Sequence, residues 1–130
     1  MNVVFPTIDE VLELHAMLLN RYGGAEGIRE QTLLESALAQ PPATFGGQFL
    51  HHDLFMMAAA YLFHLVKNHP FVDGNKRIGL ATALAFLAVN GVLINRGTEE
   101  LFEVTVAVAE GRLSKEKIAE ILKRLAESPT

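Results

Sequence analysis

The sequence predicts an all-α protein, a compact single-domain bundle of about six helices that covers residues 1–130. Half of the 130 residues are hydrophobic, which suffices for a substantial core. Apolar residues recur mostly at helical spacing, and capping residues, prolines or glycines separate the apolar stretches. We find no internal repeat, linker or low-complexity tract, so we expect one folding unit.

The first two predicted helices have recognisable ends. Thr7 and Glu10 form a capping-box pattern and start a helix that should end near Tyr22, before two glycines. A second helix should run from roughly Glu30 to Gln40, because two prolines follow it directly. Both segments place leucines on one face, as helices that pack against a core do.

The segment from Ala43 to His52 is predicted to be a loop. It holds two adjacent glycines between Phe45 and Phe49. This composition would let exposed aromatic rings move over a neighbouring cleft. The alternative is that both phenylalanines are core residues on a turn, because large aromatic side chains are usually buried.

Of the next two predicted helices, the second should be the buried, central helix of the bundle. Asp53 can cap a third helix that runs to about Asn68. A fourth, from Asn75 to Asn90, is apolar on nearly all sides and rich in alanine, which predicts a buried helix with close neighbours. Gly91 then supplies the C-terminal cap.

The remainder of the chain predicts one short extended segment and two more helices. Residues 92–94 are apolar and partly β-branched and could form a small strand. A fifth helix should start at Thr98 and end at about Glu110. Ser114 can cap a sixth helix, whose apolar residues share one face.

Composition excludes several classes of function. The formal net charge of −4 argues against direct nucleic-acid binding, which normally uses a basic patch. There is no cysteine for a disulfide, a thiolate nucleophile or a cysteine zinc site. The first residues lack the pattern of a signal peptide. The longest apolar run, Ile78 to Val89, is short of the ~20 residues of a membrane span. We therefore expect a soluble, cytoplasmic protein with no membrane contact.

The nine residues from His69 to Arg77, His-Pro-Phe-Val-Asp-Gly-Asn-Lys-Arg, concentrate reactive groups in a short stretch. Pro70 and Gly74 interrupt helical structure, so His69 and Asp73 should lie on a turn. From Asn75 onward the pattern is helical, and asparagine is a favoured N-cap.

A helix that begins at this point would form an anion site. The first backbone N–H groups of a helix have no intrahelical partner, and the helix dipole attracts negative charge. Lys76 and Arg77 add two cations, which favours a phosphate. Asp73 could hold a divalent cation that bridges phosphate oxygens.

Each of these residues also has a purely structural interpretation. A histidine at a helix C-terminus often only complements the dipole, an aspartate can stabilise a turn, and Lys76 and Arg77 could form a solvated face. The sequence His51-His52-Asp53 suggests a metal site, but adjacent histidines without a second cluster are more often loop residues. His15 and His64 are expected to be packing or surface residues inside helices.

The stretch from His69 to Arg77 resembles the signature of the Fic/Doc family, His-Pro-Phe-x-Asp/Glu-Gly-Asn-x-Arg, at every fixed position. Family members that transfer AMP carry glycine where this chain has Lys76 and a second arginine where it has Leu80. Both differences resemble the death-on-curing (Doc) branch. The resemblance covers nearly the whole chain and also implies an all-α fold.

The resemblance implies a role for each motif residue. His69 would deprotonate a target hydroxyl, and Asp73 would help to hold Mg²⁺. The catalytic set would be His69, Asp73, Lys76 and Arg77. The residues expected to bind the nucleotide are Phe71, Gly74, Asn75, Lys76 and Arg77.

The Doc branch implies a toxin that transfers the γ-phosphate of ATP to a Ser or Thr hydroxyl of a translation factor, similar to elongation factor Tu. In that branch the lysine is thought to reverse the bound ATP. Two alternatives remain open. One is transfer of AMP or another nucleotide, and the other is a catalytically silent module that binds an antitoxin or regulates its promoter.

The resemblance also implies a partner and a flap. Many family members carry an inhibitory helix with the pattern Ser/Thr-x-x-x-Glu-Gly/Asn. The nearest match here, Glu110-Gly111, has Val106 in place of the hydroxyl residue. We therefore expect inhibition in trans by an antitoxin that supplies the missing helix. The segment from Ala43 to His52 would be the flap beside the active site that positions the target.

Overall fold

The computed structural model describes residues 2–127, and these residues form six α-helices and one short β-hairpin. In chain order, the helices are α1 Ile8–Tyr22, α2 Gln31–Ala39, α3 Leu54–Asn68, α4 Asn75–Val89, α5 Thr98–Ala109 and α6 Lys115–Ala126. The prediction of an all-α bundle of about six helices is confirmed. Within this part of the chain, no helix is long and apolar enough to cross a membrane.

Local capping explains why several helices begin where the sequence predicts. Thr7 Oγ1 accepts from the Glu10 N–H at 3.1 Å, and Glu10 Oε1 accepts from the Thr7 N–H at 2.9 Å, which completes a capping box. Asp53 accepts from the Met56 N–H at 2.8 Å, and Ser114 caps α6 in the same way. These predicted caps are confirmed.

Helix α3 is the most enclosed element of the bundle. Its residues 57–62 are each no more than 1% exposed, and the helix packs against α2, α4, α5 and α6. Helix α4 buries the side that faces α3. Ala85, Ala88 and Val89 on its other side are exposed, so the prediction of burial on nearly all sides is wrong for that side. At Gly79 a Cβ atom would lie 2.8 Å from Val66 Cγ2, so glycine is needed for the close approach of α3 and α4.

The buried side chains form two clusters. The larger one joins α3, α4, α5 and α6. The smaller one joins α1, α2 and the motif region, and its members are Val11, Leu34, Ala37, Leu65, Phe71 and Ile78. The motif therefore rests directly on a hydrophobic cluster, which limits its movement.

Residues 92–94 do not form a strand, which differs from the sequence-based expectation. Helix α5 starts at Thr98, as predicted, and Gly97, with φ 78°, is its cap residue. The predicted role of Gly91 at the end of α4 is also confirmed: Gly91 has φ 90°, and Gly91 and Val92 donate to the carbonyls of Ala88 and Leu87 in a Schellman turn after Asn90.

The segment after α2 is a hairpin of β1, Thr44–Phe45, and β2, Gln48–Phe49, which pair antiparallel. Gly46 and Gly47 form its turn with φ of 60° and 81°, which matches the need for two positive φ angles in a tight hairpin. The sequence predicted only a loop here.

The hairpin lies away from the motif. The Phe49 ring is 5.9 Å from the Phe5 ring, which stacks on Phe86 at 5.7 Å. Phe86 is about three turns, or roughly 16 Å, beyond Asn75 along α4. The prediction of a flap beside the active site is therefore wrong for this segment. The alternative of two core phenylalanines is also wrong, since Phe45 is 79% exposed.

Candidate active site

The motif forms the loop that joins the C-terminal end of α3 to the N-terminal end of α4. His69 is the C-cap of α3 and has left-handed backbone angles, φ 51° and ψ 53°. Gly74 is the N-cap of α4 and is also left-handed, with φ 79°. Two left-handed residues reverse the chain direction within a few positions, so His69 and Asp73 lie on a tight turn, as predicted.

Asn75 holds the turn together through its side chain. Its Oδ1 accepts from the Phe71 N–H at 2.9 Å, and its Nδ2 donates to the Phe71 carbonyl at 2.9 Å. The predicted N-cap role of Asn75 is therefore wrong: Gly74 is the cap, and the Asn75 amide bonds the loop instead. The backbone N–H of Asn75 remains available to a ligand.

Phe71 supports the loop from below. Its side chain is 1% exposed and lies in the smaller hydrophobic cluster. A direct contact between this ring and a nucleotide, which the sequence analysis expected, is not compatible with such burial. Phe71 instead anchors the loop to the bundle.

His15 of α1 contributes to the site although the sequence suggested only a packing or surface residue. Its ring stacks on Phe71 at 3.7 Å, with 13° between the ring planes. Its Nε2 lies 2.8 Å from the Asp73 carbonyl and donates to it. The sequence contains only a weak indication of this role: His15 lies one turn after Val11, on the same buried face of α1.

Backbone amides hold the Asp73 carboxylate in place. Oδ2 accepts from the Ala25 N–H at 3.1 Å, and Oδ1 accepts from the Gly74 N–H at 2.8 Å. These bonds, with Arg77 and His15 nearby, lower the pKa of Asp73 below its ordinary value. A Cβ atom on Gly24 would lie 2.8 Å from Oδ2, so only glycine leaves room for this arrangement.

The segment between α1 and α2, residues 23–30, runs alongside the motif loop. Val72 N–H donates to the Gly27 carbonyl at 3.0 Å, and Arg29 N–H donates to the Pro70 carbonyl at 2.7 Å. Ile28 and Phe71 form an antiparallel bridge. This segment, which sequence reasoning treated only as the end of a helix, holds the loop from outside.

A cavity of about 540 Å³ opens above the start of α4. The predicted site residues that line it are His69, Asp73, Gly74, Asn75, Lys76 and Arg77. Its other walls come from Val66, Lys67, Leu80, Phe102, Thr105 and Ala109. Lys67 and the α5 residues were not predicted as site residues, because nothing in the local sequence shows that α5 packs beside the motif. The volume is typical of a small-ligand site.

The cavity is suited to an anion. The first backbone N–H groups of α4 have no intrahelical partner, and Lys76 and Arg77 are exposed beside them. Within residues 2–127, Arg77 makes no ion pair, and its guanidinium carbon lies 4.6 Å from the centre of the Tyr22 ring. The helix dipole is positive at its N-terminal end and disfavours cations there. An ordinary solvated surface would not explain why Lys76 and Arg77 lie at this end of α4.

The residues fit a magnesium ion only if a ligand shares in holding it. The described part of the chain has no group of three or more His, Cys, Asp or Glu residues at metal-binding spacing. Asp73 alone offers an ionised carboxylate in the cavity. Mg²⁺ commonly binds to one or two carboxylates, phosphate oxygens and water, so this single carboxylate is compatible with a nucleotide-bound ion.

The structure does not support a metal site at His51-His52-Asp53 or an inhibitory contact by Glu110. His51 and His64 each lie within 3.3 Å of the Lys115 Nζ atom, and His52 is exposed, so the His51-His52-Asp53 stretch forms no metal cluster. Glu110 pairs with Arg112 at 2.7 Å and does not reach Arg77. The inhibitory role of Glu110 that the sequence discounted therefore has no support in the structure.

The fold and the cavity define a helical protein with a histidine, a carboxylate and an anion site at the start of one helix. Residues 5–87 match the Fic/DOC family. The chain is 35% identical over 117 residues to "Protein kinase doc" of Escherichia phage P1, across 90% of this chain and 91% of that protein. It is 45% identical over 71 residues, 55% of each chain, to "Toxin Doc" of Mycolicibacterium smegmatis. The chain belongs to the Fic/DOC family and is a Doc-like member of it.

Proposed function

We propose that the protein is a Doc-type toxin that transfers the γ-phosphate of ATP to a Ser or Thr hydroxyl of a translation factor. The observation that carries the proposal is the cavity at the start of α4. It gathers a histidine, an ionised carboxylate and two cations around unpartnered backbone N–H groups. Phosphoryl transfer depends mainly on positioning and charge stabilisation, and this cavity offers both.

His69 is the proposed general base. It is exposed, and it lines the same cavity as the anion-binding groups. A neutral imidazole has a ring nitrogen that can accept the proton of a target hydroxyl. Such general-base assistance typically contributes roughly a hundredfold to ten-thousandfold in rate.

The phosphates are proposed to lie over the first turn of α4. Backbone N–H groups of Asn75 and Lys76 and the side chains of Lys76 and Arg77 would bind their oxygens. The Gly74 N–H already donates to Asp73 Oδ1. Asp73 would hold a Mg²⁺ ion, which neutralises phosphate charge when bound. Because its pKa is lowered, the Asp73 carboxyl stays ionised at neutral pH and can accept this cation.

Lys76 and Leu80 favour transfer of a phosphoryl group over transfer of AMP. Both residues line the cavity, so both can affect how a nucleotide lies in it. A lysine at the position of Lys76 adds a positive charge and side-chain bulk to the anion site. An apolar Leu80 leaves that wall without a second arginine. AMP transfer remains the second candidate because the base and the metal ligand would be the same.

A direct experiment separates these reactions. The protein is incubated with Mg²⁺, a bacterial translation factor similar to elongation factor Tu, and ATP labelled at either the α- or the γ-phosphate. We expect the γ-label to reach a hydroxyl of the target and the α-label to stay in the nucleotide. Transfer of the α-label would establish nucleotidyl transfer instead. Transfer of neither label to any protein of a bacterial lysate would favour the silent binding module.

We also propose an antitoxin partner that inhibits the enzyme in trans. Arg77 makes no ion pair among residues 2–127, and Phe102, which lines the same cavity, is 64% exposed. An acidic amphipathic helix could place a carboxylate on Arg77 and an apolar side chain on Phe102. We expect such a peptide to suppress labelling by the wild type and to bind Arg77→Met more weakly. Full inhibition of the isolated chain without any partner would contradict this proposal.

A further inference from the structure

His69 has an unusual backbone. Among residues 2–127 it is the only residue other than glycine with a positive φ angle. Residues with a Cβ atom rarely adopt this conformation, so the surrounding structure must hold it. The direction of the His69 side chain depends on this backbone, because the Cα–Cβ bond turns with φ and ψ.

One residue outside the motif binds the backbone on both sides of this position. Arg29 Nε donates to the His69 carbonyl at 2.7 Å, and Arg29 Nη2 donates to the Asn68 carbonyl at 3.0 Å. These carbonyls end α3 and have no intrahelical donor. The guanidinium forms a rigid fork, so the two bonds fix an orientation as well as a distance.

The backbone of Arg29 extends the same contact by one residue. The Arg29 and Glu30 N–H groups donate to the Pro70 carbonyl at 2.7 Å and 3.1 Å. Three consecutive carbonyls around the proposed base are thus bound by this short segment, and two of them by one side chain. Arg29 does not line the cavity itself.

From this geometry we infer that Arg29 is a positioning residue for the reaction, because it holds the backbone from which His69 enters the cavity. The inference rests on the proposed role of His69 as general base. Loss of Arg29 frees the last carbonyls of α3, so the His69 backbone can relax toward a more common conformation. The imidazole then no longer has its position relative to the target hydroxyl. The proposed phosphate-binding groups at the start of α4 keep their positions.

The alternative is that Arg29 only stabilises the C-terminal end of α3. The chain contains a matched control for this purely structural role. Arg96 binds the C-terminal end of α6 in the same way. Its guanidinium donates to the carbonyls of Arg124, Leu125 and Glu127 at 2.9, 3.2 and 3.0 Å. None of these residues lines the cavity. Arg96→Met therefore removes a comparable helix cap far from the proposed base.

The test compares Arg29→Met, Arg29→Lys and Arg96→Met in the γ-label assay below their melting temperatures. We expect Arg29→Met to lower kcat roughly tenfold to a hundredfold, the scale of a misplaced reacting group, with little change in the KM for ATP. Lysine can bond one carbonyl, so Arg29→Lys should retain an intermediate rate. Arg96→Met should keep the wild-type kcat. A wild-type kcat in a folded Arg29→Met or Arg29→Lys protein would overturn the inference.

A double-variant cycle asks whether Arg29 acts through His69. In the His69→Ala background, Arg29→Met should cause no further loss of the residual rate. The same fold loss in both backgrounds would contradict the inference.

A second readout does not depend on activity. Imidazole ¹H–¹⁵N spectra should show the His69 signals shifted in Arg29→Met and unshifted in Arg96→Met. Unshifted signals in both variants would overturn the inference. If the wild type transfers no label, the proposed function fails, and these spectra alone decide the role of Arg29.

Discussion

At one end of the α3 and α4 pair the chain is held by polar contacts, and at the other end it is held by aromatic packing. The motif end has left-handed residues at His69 and Gly74, and hydrogen bonds reach it from His15, Ala25 and Arg29. The opposite end has the Asp53 cap, the turn after Asn90 and the packed rings of Phe5, Phe49 and Phe86.

From this difference we expect the proposed reaction to depend on the motif end and stability to depend more on the aromatic end. A left-handed conformation is unfavourable by roughly 1–2 kcal/mol for a residue other than glycine, so the His69 backbone destabilises the motif end. Contacts from α1 and from residues 23–30 offset that cost and keep the loop in one conformation. The aromatic end contains no such strained residue in the described chain. We therefore expect substitutions at the two ends to have different consequences.

The largest expected effect is the loss of the proposed base. His69→Ala should reduce γ-label transfer by roughly a hundredfold to ten-thousandfold, because the hydroxyl loses its proton acceptor. The melting temperature should change little, since the side chain is exposed. Initial rates and thermal unfolding of the same preparation check both statements. A rate close to that of the wild type would exclude His69 as the base.

The second prediction compares a buried phenylalanine at each end. Phe71 and Phe86 are both 1% exposed, so alanine at either position should cost about 3–5 kcal/mol of folding free energy. Only Phe71→Ala should also lower kcat, because Phe71 supports the motif loop. Urea unfolding and labelling rates at low temperature measure the two effects. Leucine at each position offers a milder pair if the alanine variants do not fold. Equal losses of kcat in Phe71→Ala and Phe86→Ala would contradict the expectation that only the motif end affects the reaction.

The third prediction concerns Asp73. Asp73→Ala should raise the Mg²⁺ concentration that gives half-maximal rate by roughly tenfold to a hundredfold, as expected for loss of a charged contact of about 1.5–3 kcal/mol. Added Mg²⁺ should restore part of the rate. Arg96→Met provides a control with unchanged Mg²⁺ dependence. An Asp73→Ala rate that does not respond to Mg²⁺ would argue against a metal-binding role.

The smallest expected effect is a pH dependence of stability at His64, which belongs neither to the motif nor to the packed rings of Phe5, Phe49 and Phe86. Burial, and then the ammonium of Lys115, lower the pKa of His64 to about 4. The unfolded chain binds a proton at His64 near pH 6.5, before the folded chain does. The stabilising contribution is therefore complete above about pH 6.5 and is lost as the pH falls toward 4.

Removal of the half-buried His64 imidazole should weaken this pH dependence. Between pH 7.5 and 5, His64→Gln should lose less stability than the wild type, by on the order of 1 kcal/mol, since the ring is only half-buried. Urea unfolding at each pH measures the difference. His52→Gln is the matched control because His52 is exposed. An unchanged pH profile in His64→Gln would show that His64 is not the group responsible.

Local sequence signals predicted most of the helices. The caps at Thr7, Asp53 and Ser114 depend on residues within one turn, so the sequence alone is enough to recognise them. The motif placed His69 and Asp73 on one turn for the same reason. Pro70 and Gly74 restrict the backbone regardless of tertiary structure.

Long-range contacts were not predictable in this way. Asn75 looks like an N-cap, but the nearby Phe71 backbone competes for its amide in the folded chain. His15 and Arg29 act on residues 58 and 40 positions away. Only the packing of α1 and the α1–α2 segment against the motif brings these groups together. The prediction of a flap at residues 43–52 was wrong because aromatic residues beside glycines do not indicate at which end of the bundle a segment lies.

The most direct test of the account is the intact mass of a translation factor after incubation with unlabelled ATP, Mg²⁺ and this protein. We expect the target to gain the mass of one phosphoryl group with the wild type and to gain nothing with His69→Ala. Fragmentation of the modified target should place the group on a Ser or Thr residue. A gain of one adenylyl group, or the same gain with both proteins, would contradict the account.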